Sequence, residues 1–130
     1  MTFDPSILIH YRIDKAKPTL KEAELLIKAG SYNAAVNRLY YACFYAVLAL
    51  LASKNFSSSK HSGVRSLFSK EFVKSEEIDA RFYKFYAKLF DNRQEGDYKD
   101  FKEFQFDEVN DLYTQSREFI QVLETKLDLR

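Results

Sequence analysis

Residues 32–53, YNAAVNRLYYACFYAVLALLAS, decide the fold. Ala35, Leu39, Ala42, Ala46 and Ala49 recur at spacings of three and four, and make a narrow stripe of small side chains on which a second helix can sit closely. Tyr40, Tyr41, Phe44 and Tyr45 fill much of the remaining surface. A helix apolar nearly all round is contacted from several sides. Its uncharged stretch, Leu39 to Ala52, is 14 residues long, short of the ~20 that a bilayer requires. The segment therefore reads as a buried core helix, and no membrane association is expected.

Just before it, Gly30 reads as the stop of an earlier helix and Ser31 as the N-cap of this one, because glycine takes a left-handed conformation cheaply and a serine hydroxyl can accept a free backbone N–H. The earlier helix includes LKEAELLIK (20–28), with Leu20, Ala23 and Ile27 on one stripe. Pro18, which lacks a backbone donor and crowds the preceding turn, predicts either a kink or a helix that starts there. Downstream, NFSSS (55–59) is a polar loop, and HSGVRSLFSKEFV (61–73) is a short helix with Val64, Leu67, Phe68 and Phe72 at helical spacing. Ser75, Glu76 and Glu77 suit the start of the next helix, since acidic residues there favour the helix dipole. Its stripe is Ile78, Phe82, Phe85 and Leu89, and it should end near Gly96. DYKDFKEFQ (97–105) is a connection. The last helix opens at Phe106 or Asp107 and repeats Val109, Leu112, Ser116, Phe119 and Leu123.

Four long helices with short connections predict an all-α, up-and-down four-helix bundle with an additional short helix, one domain over residues 1–130. Three glycines and two prolines in 130 residues are too few for a sandwich of many turns or for a glycine-rich nucleotide loop. Twenty basic against nineteen acidic residues, a formal charge of +1, exclude a surface that blankets nucleic acid through charge alone. The single cysteine, Cys43, and an opening MTFDP that is no charged-then-apolar leader point to a reducing, cytoplasmic setting.

Cys43 lies in the apolar helix, where a thiol is usually an inert small hydrophobe. Cys43, His10 and His61 show no metal-ligand spacing, so no metal or other cofactor is expected. Arg38, at the start of the uncharged run, either pairs with a carboxylate on a neighbouring helix or reaches a ligand. Lys60 and His61 stand at a helix start within residues 54–74, where five basic residues oppose Glu71 alone. That stretch is either a solvated loop or a place for phosphate. Arg93, Asp97 and Tyr98 occur in RQEGDY (93–98). If the helix persists one turn, Arg93 and Asp97 share a face and can make a bidentate pair. The acidic stretch 91–111, with eight acidic against three basic residues, and the basic stretch 54–74 can also attract one another, within a chain or across a dimer.

SYNAAVNRLYYACFYAVLALL (31–51), SSSKHSGVRSLFSKEFVKS (57–75) and DNRQEGDY (91–98), in that order and spacing, resemble the signature segments of the HEPN domain family, in its subgroup of small stand-alone bacterial and archaeal proteins. The resemblance implies a helical bundle, usually a homodimer, often encoded beside a small nucleotidyltransferase and paired with it as a toxin–antitoxin module. It also implies metal-independent ribonuclease chemistry, in which an arginine steadies phosphate charge and a histidine, separated from it by four to six intervening residues, moves the 2′-hydroxyl proton. No arginine here is followed by a histidine at that spacing, and Tyr45 stands where relatives often have histidine. The expectation is therefore a nucleotide- or RNA-binding protein, with Arg38, Lys60, His61 and Arg93 contacting phosphate, Asp97 orienting Arg93, and Tyr41 or Tyr98 stacking on a base. His61 with Arg93 is the one substitute catalytic pair. The other reading is a non-catalytic interaction module that binds and masks a partner.

Overall fold

The computed structural model describes residues 4–127, and all regular structure among them is helical. The helices are α1 (Pro5–Lys28), α2 (Tyr32–Ala52), α3 (His61–Phe68), α4 (Ala80–Tyr98) and α5 (Phe106–Leu127), with a π-helical turn, Ser69–Val73, continuing α3. Helix α2 packs against each of the others. Ala35, Leu39, Ala42, Ala46 and Ala49 are all fully buried, so the small-residue stripe is the contact surface that its spacing implied. By length and composition alone α2 would pass for a membrane span, and most of it lies inside the bundle. The stripe of α5 is likewise buried, with Phe119 stacked on Tyr86 at 5.7 Å and 9° in the centre of the core.

Helix α1 does not start at Pro18 but runs through it, which leaves the first of the two alternatives, a helix that carries the proline inside. It begins at Pro5, where the Asp4 carboxylate accepts from the Ser6 N–H at 3.0 Å and proline needs no donor in the first turn. Pro18 and Asp14 are both exposed, so the carbonyl that loses its helical partner meets water. On the other face Ile13, Ala16, Thr19, Ala23 and Ile27 are buried, and that packing outweighs the cost of an interior proline, about 3 kcal/mol. Gly30 does end the helix, with φ +77°. Ser31 holds the N-cap position of α2 but its hydroxyl makes no capping bond.

Two ends of α4 also differ from the sequence reading. It starts at Ala80, not among the acidic residues, because the Asp79 carboxylate caps Arg81 N–H at 2.9 Å and Glu77 is drawn away to pair with Lys54 and accept from Ser75. The turn before it buries Ile78, whose N–H donates to the Phe72 carbonyl. At the far end the helix runs through Gly96 to Tyr98. A Cβ on Gly96 would stand 2.9 Å from the Phe104 ring, so glycine serves close packing here and does not stop the helix. Asn33 of α2 holds the following loop, accepting from Phe104 N–H at 3.1 Å and donating to the Lys102 carbonyl at 2.7 Å.

Candidate functional site

Where α2, the first residue of α3 and the last turns of α4 meet, aromatic rings and cations converge on Tyr40. This tyrosine is fully buried, and burial raises its hydroxyl above the ordinary phenol range, so it stays protonated. Its oxygen lies 2.7 Å from His61 Nδ1. The His61 ring stacks on Phe44, with centroids 4.4 Å apart and planes at 17°, and meets Tyr41 edge-on at 5.8 Å. Loss of hydration, and after it the nearby Arg93 charge, hold the His61 pKa below its ordinary value, so the imidazole is neutral at pH 7. The loop before α3 is folded tightly against it, since a Cβ on Gly63 would meet Ser58 Oγ at 2.2 Å.

Arg93 comes to the same place from α4. Its guanidinium carbon stands 4.8 Å from the Tyr40 ring centroid, 5.7 Å from Tyr41 and 5.9 Å from Phe90. The residue is only 7% exposed, and its Nε is buried with no hydrogen-bond partner. Its contact with Asp97 is 3.8 Å through one nitrogen, an ion pair and not the bidentate fork that a shared face allowed. The Asp97 carboxylate instead accepts from Asn37 Nδ2 at 2.9 Å. Asn37 Oδ1 in turn accepts from Arg38 Nε at 3.0 Å and Nη2 at 2.8 Å. Asn37 thus links both arginines through one amide. Arg38 is further placed 3.9 Å from Glu22 and 5.1 Å from the Tyr41 ring.

Of the residues picked from sequence, Arg38, Tyr41, His61, Arg93 and Asp97 are brought together. Lys60, beside His61, is exposed and caps nothing with its side chain. Tyr98 is 75% exposed and lines a separate surface depression with Asp91, Gln94, Glu95 and Lys99. Sequence reasoning missed Tyr40, Asn37 and Arg65, whose guanidinium lies over Phe90 at 4.6 Å. A mid-helix asparagine, a poor helix former, was the available signal for Asn37. Nothing local distinguishes Tyr40 from its aromatic neighbours. Cys43 is buried and its thiol is pushed up to about 12 by desolvation, which leaves it protonated and unreactive.

A buried arginine, a histidine and stacked aromatic rings meeting at one helix junction define a small helical domain with a cation–aromatic cluster at one end of the bundle. The HEPN domain model matches residues 9–126, and the chain belongs to the HEPN family. It is 40% identical over 121 residues to a UPF0332 protein of Thermotoga maritima, covering 93% of this chain and 92% of that one. It is 41% identical over 86 residues to a protein of Methanocaldococcus jannaschii named "putative toxin", covering 66% of this chain and 58% of that protein. A second such toxin-named protein of the same organism is 35% identical over 86 residues, 64% of its length, so the chain spans less than two thirds of both.

Proposed function

We propose that this HEPN protein binds the phosphate of a nucleotide or of RNA at the Tyr40 junction, with no strand cleavage of its own. The observation that supports the reading is Arg93. A guanidinium withdrawn from water, short of one hydrogen bond and only loosely paired with Asp97 gains most from an arriving oxyanion. His61 supplies a second contact and Tyr41 a face for a base, while Lys60 adds long-range attraction at the α3 start. The toxin-named relatives support a toxin role; the cytoplasmic setting, the homodimer and the nucleotidyltransferase partner belong to the same proposal through the family resemblance and the single cysteine. Cleavage is disfavoured because the family motif histidine is missing.

Titration of ATP and of a short single-stranded RNA at low salt tests this. Binding tighter than ~100 µM is expected for at least one, with loss of about tenfold or more in an Arg93→Ala/Lys60→Ala double variant. Labelled RNA incubated with the protein and a chelator should remain intact. Cleavage that disappears in His61→Ala would replace the binding reading with the catalytic one. A second reading has one observation behind it: Arg38 is already spent on Asn37 and Glu22, as in a module that only masks a partner. Absence of binding to both ligands selects that reading.

A further inference from the structure

His61 can present one of two neutral tautomers, and Tyr40 decides which. The contact of 2.7 Å between the Tyr40 oxygen and His61 Nδ1 needs one proton between them. A phenol O–H is a much better donor than the N–H of a neutral imidazole, and the imidazole lone pair is the better acceptor. Tyr40 is anchored for that task. Its ring is fully buried between Phe44 at 5.8 Å and Tyr86 at 5.9 Å, and the Arg93 guanidinium lies over it, so the hydroxyl cannot swing away. The His61 ring is itself held flat on Phe44 and is only partly buried, which leaves Nε2 as the nitrogen that meets solvent or a ligand.

We propose that Tyr40 is a positioning residue that locks His61 as the Nε2–H tautomer, so that His61 meets a phosphate as a neutral hydrogen-bond donor and not as a base. The inference rests on the phosphate-binding reading and deepens it. With its lone pair tied to Tyr40, the outward face of the ring has no electron pair with which to take a proton from a ribose 2′-hydroxyl. Arg93 and His61 then offer one charged and one neutral donor to the same oxyanion. The same hydrogen bond thus keeps His61 available to a phosphate as a donor and withholds it as a base.

The test is the imidazole 15N spectrum of the full-length protein at neutral pH, which separates the tautomers directly, together with ATP and RNA titrations. The wild type should show His61 protonated on Nε2. Tyr40→Phe, which keeps the ring and removes one oxygen, should give a mixture of tautomers and about twofold weaker binding, the share of His61 that leaves the Nε2–H form. An Nδ1–H wild type, or a Tyr40→Phe spectrum unchanged from wild type, overturns the proposal. If that variant does not fold, the wild-type spectrum alone decides. A locked Nε2–H tautomer in a protein that binds neither ATP nor RNA removes the phosphate role from His61 and from the site together, whereas wild-type binding without the lock removes only Tyr40's part.

Discussion

Among the cations that lie over aromatic rings in this bundle, Lys54 and Arg93 are treated in opposite ways. Lys54, after the end of α2, sits 4.3 Å from the Phe72 ring centroid, pairs with Glu77 and donates to the Glu71 carbonyl at 2.9 Å. Its side chain is about one third exposed, and its bonds are filled. Arg93 sits 4.8 Å from Tyr40, is 7% exposed, and keeps an unfilled Nε and a carboxylate at 3.8 Å. The same pairing of cation and ring is a finished structural joint in one place and an unfinished one in the other. A satisfied charge costs the fold little, whereas a buried and unsatisfied one costs stability, and under the proposed function the cost at Arg93 is offset when a phosphate binds.

The largest effect should come from removing the floor of the unfinished joint. Tyr40→Ala opens a cavity beneath both Arg93 and His61, and urea denaturation should show a loss of about 3–5 kcal/mol. A loss below about 1 kcal/mol would mean that the rings around Tyr40 are not the packed core of this end.

Arg93→Met separates the two joints. Affinity for ATP or RNA should fall about tenfold or more, while stability holds or rises by about 1 kcal/mol, because an apolar side chain replaces an under-satisfied buried charge. A stability loss above about 1 kcal/mol would place Arg93 with Lys54 as a structural residue.

Gly96→Ala probes the α4 end that carries Arg93 and Asp97. In an open helix alanine is better than glycine by about 1 kcal/mol. Here the new methyl meets the buried Phe104 ring at 2.9 Å, and a net loss of about 1 kcal/mol is expected on thermal unfolding. A stabilised variant would show that the 99–105 loop is not packed on that turn.

The smallest effect belongs to the finished joint. Lys54→Met should lower the unfolding midpoint slightly at pH 7. Lys54 and Ser75 hold the Glu77 pKa below the ordinary glutamate value of 4.5. That contribution is present above pH 4.5 and is lost as pH falls through the lower folded-state value. The gap between wild type and variant should therefore close in acid. A gap that persists there would assign the effect to packing on Phe72 alone.

Much of the fold was legible because helical periodicity is local. The α2 stripe, the Val109 to Leu123 stripe of α5 and the short helix after the serine loop each declare themselves within a few turns. The misread ends were decided by partners far along the chain: Lys54 drew Glu77 out of α4, and Phe104 turned Gly96 from a helix stop into a contact. Which of the two alternatives holds at Pro18 depended on the buried face opposite it, which carries the helix through the proline.

By itself, then, the sequence determined an all-helical bundle built around α2, the HEPN resemblance, and the residue types from which a phosphate site can be made. Only the tertiary structure decided that His61 belongs to Tyr40, 21 residues away, that Asp97 belongs to Asn37 as much as to Arg93, and that Lys60 and Tyr98 face solvent. Periodicity states which face of each helix is apolar and not which helices share a junction. Burial and an unfilled hydrogen bond, which together mark Arg93 among the cations of the described residues, exist only once those faces have met.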